Sequence, residues 1–151
     1  MEPARPLVLT TEEHALLGEL VEIMGLIEAI LAETVDRFDP QAAAKLRKST
    51  ARPQAQLWST VVGRRAHDSA IAAQIAEAKK EIEEVAEDRN DFVHALFEGD
   101  YVEAGYVEPG YQTTSATRNK TGRSRPVSHL AAIRDRAAAL SCLVAQIAKA
   151  V

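Results

Sequence analysis

The residues best suited to chemistry in this chain are an arginine and a histidine five positions apart, Arg89 and His94. A guanidinium keeps its proton and offsets phosphate charge, whereas an imidazole exchanges a proton near neutral pH. A buried guanidinium without a partner is costly, so Arg89 has to meet a carboxylate, a carbonyl, water or a ligand phosphate. The pair therefore predicts either phosphate chemistry or a structural ion pair.

One long helix is predicted to carry this pair. No glycine or proline occurs between Gly63 and Gly99, and apolar residues recur there at alternating steps of four and three. Such a stripe keeps one helix face against partner helices. We expect the helix to begin near Ala66 or His67. The seam consists of Ile71, Ile75, Ala78, Ile82, Val85, Arg89, Phe92 and Leu96.

The spacing of the pair decides how the two side chains can cooperate. Five residues of helix place Arg89 and His94 about 140° apart and about 7.5 Å along the axis, so they do not share a face. Asn90 and His94 are four positions apart, which lets the Asn90 amide orient the imidazole. Arg89 is therefore better suited to a composite site across a two-fold axis than to an intrahelical contact.

The elements around this helix are predicted to be helical as well. Thr10 and Glu13 form a capping box before a helix that runs to Phe38, with a seam at steps of three and four from Leu17 to Phe38. Pro126 and Ser128 open the last helix, whose seam runs at the same steps from Leu130 to Val151. Residues 41–65 should form two short helices, because Pro53 breaks a continuous one near a bend at 49–53. The second of them should point Leu57, Trp58, Val61 and Val62 inward.

Composition agrees with a helical protein. The 151 residues include 27 alanines but seven aromatic residues, which favours close helix packing over a β-sandwich. We predict an all-α fold, an antiparallel four- to five-helix bundle forming a single domain over 1–151. Residues 1–9 should be a loose lead-in. Residues 99–125 should hold a small β-hairpin or a long basic loop before the last helix, with a turn signal at residues 108–110.

Charge is segregated along the chain. Residues 41–65 hold six Lys or Arg and no Asp or Glu, and residues 118–136 hold six Lys or Arg against Asp135 alone. Residues 77–100 hold nine acidic residues against three basic ones. The two basic segments predict a phosphate-attracting patch, or else solvated faces that balance the acidic helix. Within them, the residues predicted to contact nucleic acid are Arg118, Lys120, Arg123 and Arg125.

Several function classes are not expected. The sequence contains no GK[ST] phosphate loop, HExxH or GxSxG motif, and its single Cys142 excludes an intramolecular disulfide. The spacing Asp91-x-x-His94 occurs once, so neither a metal site nor a cofactor is predicted. No apolar run approaches eighteen residues, and no basic-then-apolar leader precedes the first helix. We expect a soluble, cytoplasmic protein.

The run Arg89-Asn90-Asp91-Phe92-Val93-His94 resembles the R-x4-6-H motif of the HEPN superfamily (higher eukaryotes and prokaryotes nucleotide-binding). Asn90 fits the Arg-Asn-x-x-x-His form that is frequent there. The resemblance covers roughly residues 10–150 in architecture and six residues in motif. It implies a dimer in which Arg89 and His94 of both protomers line one cleft. It also implies RNA cleavage without metal, with His94 in proton transfer and Arg89 stabilising phosphate charge.

The resemblance also bears on partners and regulation. It suggests a defence or toxin–antitoxin component whose partners are a second copy, RNA, and an antitoxin or other protein. Some HEPN toxins continue the motif as His-x-Tyr, with the tyrosine a target for nucleotidylation, but this chain holds Leu96 there.

The alternative is a non-catalytic helical interaction domain in which Arg89 forms a structural ion pair. Acidic residues surround the motif and would repel a polyanion. One of them would pair with Arg89, while His94 capped the helix end. The acidic residues are Glu87, Asp88, Asp91, Glu98 and Asp100.

Overall fold

The computed structural model describes residues 5–6, 10–97, 101–102, 117–118, 124–125 and 129–151, with side chains over 10–93 and 129–151. These residues form five helices, which confirms the predicted all-α helical bundle. The helices are α1 (Thr11–Asp36), α2 (Pro40–Arg47), α3 (Ala51–Gly63), α4 (Ser69–Phe97) and α5 (Leu130–Ala150).

Strand structure in the described residues is limited to two antiparallel pairs of two-residue strands. β1 (Arg5–Pro6) pairs with β2 (Tyr101–Val102), and β3 (Thr117–Arg118) pairs with β4 (Ser124–Arg125). The second pair lies in the basic part of the predicted segment 99–125 and does not test the hairpin predicted around residues 108–110. The predicted turn at residues 108–110 lies outside the described residues, as does most of the lead-in over 1–9.

Side-chain caps begin three of the helices. The Thr10 hydroxyl accepts a hydrogen bond from the Glu13 amide at 3.1 Å, as the capping box predicted. Asp39 accepts from the Ala42 amide at 3.0 Å, ahead of Pro40 in the first turn of α2. For α4 the predicted start near residues 66–67 was wrong. Asp68 accepts from the Ile71 amide at 2.8 Å, so the helix begins at Ser69.

The connection between α2 and α3 is shorter than predicted. Pro53 lies in the first turn of α3 and not in a bend, because a proline there removes an amide that has no helical partner anyway. Gln54 is buried, and its Nε2 donates to the Leu46 carbonyl at 3.3 Å, which ties the first turn of α3 to the last turn of α2. Trp58, Val61 and Val62 are buried as predicted, and Leu57 is half-buried.

The chain divides into two compact units. The first comprises Met1–Val21 and Glu87–Asp135. Its described core consists of apolar side chains from α1, α4 and α5, at seam positions predicted from the helical period. Arg134 pairs with Glu19 and with the neighbouring Asp135, and these hydrogen bonds raise the pKa of Arg134. The core residues are Leu17, Leu20, Phe92, Leu130 and Ile133.

The second unit comprises Glu22–Ala86 and Arg136–Val151. Its core includes the predicted seams of α1 and α5 and the inward faces of α2, α3 and α4. Arg136 of α5 contacts Glu81 at 2.9 Å and Glu84 at 3.0 Å on α4. Fully buried members of this core are Met24, Ile27, Leu31, Val35, Leu46, Trp58, Val62, Ile82, Val85, Val144 and Ile147.

Asp39→Ala should lower the free energy of unfolding by about 1 kcal/mol, because α2 has eight residues and loses the acceptor for its Ala42 amide. The melting temperature should fall by roughly 2–4 °C, since each kcal/mol corresponds to about that shift for a chain of this size. Asp39→Asn keeps a capping oxygen and should melt within about 1 °C of the parent, since asparagine caps as well as aspartate. An equal loss for both variants would contradict the capping role.

Candidate functional site around Arg89

Arg89 lies in α4 between two buried seam residues, Val85 and Phe92, as predicted. Its side chain is half-buried, and its Nε is buried without a hydrogen-bond acceptor among the described residues. The ion pairs present in this part of the chain involve other cations, namely Lys79, Lys80, Arg134 and Arg136. Arg89 therefore has an unused donor at a position where the helix is packed.

The neighbours of Arg89 on α4 are largely covered. Asn90 and Val93 are half-buried, and Asp91 is buried at 4% exposure. The acidic neighbours Glu87, Asp88 and Asp91 each have an interaction partner. The motif therefore lies on a largely covered stretch of α4 with three acidic neighbours.

The backbone of α4 continues through His94 to Phe97, which keeps Arg89 and His94 on one helix. An unbroken helix gives the angular offset of about 140° and the rise of about 7.5 Å derived above. The His94 side chain lies outside the described residues. The same is true of the side chains of Arg118 and Arg125, which belong to β3 and β4, and of Lys120 and Arg123 altogether.

The two basic segments of the sequence differ in their described contacts. In the segment 118–136, Arg134 and Arg136 are engaged by carboxylates of other helices. In the segment 41–65, all six cations are exposed, and no described carboxylate pairs with any of them. Among the described side chains, unpaired positive charge is therefore concentrated in α2, α3 and the residues that follow them.

A cluster that the sequence did not single out lies at the end of α1 in the second unit. The guanidinium carbons of Arg37 and Arg65 lie 5.3 Å and 4.8 Å from the centre of the Phe38 ring. Arg37 also donates through Nη2 to the Ala148 carbonyl at 2.6 Å. A groove of about 470 Å³ adjoins Arg37, lined by Ile30, Glu33, Thr34, Ala145, Ala148 and Lys149. No short-range pattern predicts a contact between Phe38 and a residue 27 positions away.

None of the described helices combines the length and apolarity needed to cross a membrane. No group of three metal-ligating side chains occurs among the described residues. The comparisons with known proteins found no family model, no curated protein and no solved structure that matches this chain.

Proposed function

We propose that this chain is a HEPN-like protein that binds RNA and cleaves it without a metal ion, as a homodimer. The observation that supports the proposal is the state of Arg89. Its guanidinium lies on a packed helix seam, yet its Nε has no acceptor among the described residues. A guanidinium in this state is suited to an incoming phosphate, because its fork of donors matches phosphate oxygens.

The chemistry follows from the two groups of the motif. Without a metal to activate water, the nucleophile already present in RNA is the 2′-hydroxyl next to the scissile phosphate. Its oxygen forms a bond to phosphorus while the bond from phosphorus to the 5′-oxygen breaks, which leaves a 2′,3′-cyclic phosphate and a 5′-hydroxyl. In the proposed mechanism, His94 of one protomer accepts the proton of the 2′-hydroxyl and His94 of the other donates a proton to the departing 5′-oxygen, while Arg89 stabilises the charge on the phosphorane-like transition state.

The competing proposal is a helical interaction domain without catalysis. It draws support from the half-burial of Arg89 between Val85 and Phe92, a position where an arginine can serve an interface. It requires a carboxylate for Arg89, supplied by a partner molecule or by residues outside those described. The nuclease proposal requires a phosphate instead, so the two proposals differ in the ligand of one side chain.

The direct test is incubation of the purified chain with single-stranded RNA in excess EDTA. The proposal predicts products with 2′,3′-cyclic phosphate ends. An RNA with a single 2′-deoxynucleotide should be cut everywhere except after that nucleotide, because its 2′-hydroxyl nucleophile is missing. Absence of cleavage by the parent chain across several RNA sequences would contradict catalysis and favour the interaction domain.

The proposed dimer, with the 66–98 helices near its axis, makes a separate prediction. Among the described side chains of α4, the last exposed one is Lys80, and those from Glu81 to Val93 are buried or half-buried. The apolar contact between protomers would then involve the exposed alanines of the first turns of α4 together with Val93. Sedimentation at tens of micromolar should give twice the chain mass of 16.4 kDa. A strict monomer there would exclude the composite site.

A further inference from the structure

The strongest unassigned feature of the second unit is a basic surface formed by α2, α3 and the turns beside them, residues 37–65. We define it as the α2–α3 surface. Residues 37–65 hold seven Lys or Arg against Asp39 alone, whereas the whole chain has a net charge of −4. Asp39 is occupied as the cap of α2. The α2–α3 surface therefore carries a local excess of six positive charges on an acidic protein.

The seven cations form two clusters at opposite ends of α3. The corner between α2 and α3 holds Lys45, Arg47, Lys48 and Arg52, and the Gln54 bond to Leu46 fixes this corner. The other end holds Arg64 together with Arg37 and Arg65, whose guanidinium groups lie over the Phe38 ring. All seven are exposed, and no described carboxylate pairs with any of them. Twelve residues of helix separate Arg52 from Arg64, a distance of about 18 Å.

Interaction with the helix dipole explains why some of these positions hold a cation, but it does not explain all of them. Lys45 and Arg47 lie in the last turn of α2, where the helix dipole favours positive charge. Arg52 lies in the first turn of α3, where the same dipole disfavours it, and that turn contains no acidic residue. Arg52 thus has no role in helix capping or ion pairing among the described residues, which points to a ligand outside the chain.

The charged side chains of the two clusters indicate the class of ligand. Between them on α3, Gln56 Nε2 donates to the Thr60 hydroxyl at 3.3 Å, and the hydroxyls of Ser59 and Thr60 donate to the Gln56 carbonyl at 2.9 Å, so these polar groups already have partners. Lys and Arg are the side chains whose charge attracts the phosphate oxygens of nucleic acids. A protein partner would instead need an apolar anchor. The exposed large apolar residues in the described part of the chain, Val21 and Leu26, lie on α1.

We infer that the α2–α3 surface binds the phosphodiester backbone of a nucleic acid without reading its sequence. Two guanidinium groups lie over the Phe38 ring, so the ring helps to hold Arg37 and Arg65 in place. Recognition therefore depends on positive charge and on hydrogen-bond donors to phosphate oxygens. RNA and DNA present the same phosphate groups, so both should bind. This surface goes beyond the proposed function, since it would bind whether or not Arg89 and His94 cleave.

The test is fluorescence anisotropy with a labelled 2′-O-methyl RNA of 20 nucleotides, which lacks the 2′-hydroxyl nucleophile, and with the matching single-stranded DNA. Affinity should fall with salt, with a slope of log K against log [salt] of about −0.7 per phosphate contacted. Arg47→Gln/Arg52→Gln should make that slope shallower by about 1.4 and weaken binding at 50 mM salt by at least about tenfold. Both nucleic acids should respond alike.

Matched variants keep the result interpretable. Lys79→Gln/Lys80→Gln removes the same charge from α4 of the same unit and should change the affinity less than about twofold, because both lysines are paired with glutamates. Arg64→Gln probes the other cluster alone and should reduce the slope by about 0.7. This single change at an exposed site gives a second reading if the double variant fails to fold.

Three results would overturn the inference. They are unchanged binding in both α2–α3 variants, equal losses in the α4 control, and displacement of the RNA by a polyglutamate of equal charge at equal concentration. The last would identify an acidic protein surface as the ligand. A parent chain that cleaves no RNA but loses binding through Arg47→Gln/Arg52→Gln would end the nuclease proposal and leave the α2–α3 surface standing.

Discussion

Arg89→Ala is expected to reduce RNA cleavage in EDTA by at least about a hundredfold, the lower end for loss of a group that acts in the transition state. The reason is that no other described cation lies free on the packed seam of α4 to replace it. His94→Ala should reduce cleavage to a similar degree, since proton transfer and charge stabilisation act in the same step. Single-turnover rates with saturating protein measure this loss separately from binding.

Protein stability separates catalysis from a structural role for Arg89. In the described residues it forms no ion pair, and its Nε is without an acceptor, so its removal should change the free energy of unfolding by less than about 1 kcal/mol. An arginine in a buried ion pair would behave differently. Its loss would strand a carboxylate and lower stability by about 3–5 kcal/mol.

Lys80→Ala is the matched control for Arg89→Ala. It removes one cation from the same helix, and the Lys80 side chain is 76% exposed in a 3.8 Å pair with Glu84. Surface pairs of this kind contribute about 0–1 kcal/mol, so cleavage and melting should both stay close to the parent values. A large loss of melting temperature in Arg89→Ala, with no cleavage by the parent, would contradict the nuclease proposal and favour the interaction domain.

The helical period predicted most of the fold, because burial on a helix follows spacing closely. The seam residues of α1 from Leu17 to Thr34 and of α5 from Leu130 to Ile147 are buried as predicted, whereas the last residue of each seam, Phe38 and Val151, is half-buried. The polar exception Thr34 remains in the seam because its hydroxyl donates to the Ile30 carbonyl at 2.6 Å. Arg89 was placed on its seam by the same spacing.

The errors arise where two local signals compete or where the partner is distant in sequence. Pro53 signals a break, yet it is also tolerated in a first helical turn, and only packing of α3 decides between the two. Asp68 caps α4 in a stretch that contains no glycine or proline to mark where the helix begins. Both misses moved helix boundaries by a few residues and left the helices themselves intact.

Electrostatics was the least predictable part of the site. The sequence groups Arg134 and Arg136 with a basic segment, but Glu19, Glu81 and Glu84 reach them from other helices. Local composition cannot anticipate such pairing, since it depends on which helices become neighbours. The cations of segment 41–65 have no ion-pair partner among the described residues. The difference between the two basic segments therefore depends on the fold and cannot be predicted from composition.

Trp58→Ala is expected to lower the free energy of unfolding by about 3–5 kcal/mol. Trp58 is the largest of the fully buried side chains of α3 and has 0% exposure, so truncation leaves a cavity that its neighbours fill only in part. The melting temperature should fall by about 6–20 °C, because each kcal/mol shifts it by roughly 2–4 °C in a chain of this size. Urea and thermal unfolding followed by circular dichroism measure both quantities.

Trp58→Phe distinguishes lost volume from a lost hydrogen bond. The Trp58 Nε1 is buried without an acceptor among the described residues, and an unsatisfied buried donor costs about 1–3 kcal/mol. Phenylalanine removes that donor and retains most of the ring volume. The stability lost through the small remaining void and the stability gained by removing the unsatisfied donor should therefore nearly cancel, which leaves the free energy of unfolding within about 1.5 kcal/mol of the parent value. If the phenylalanine variant loses as much stability as the alanine variant, the indole N–H has a partner and volume is not the main term. If both variants melt like the parent, the core around α3 does not contribute to the stability of the second unit.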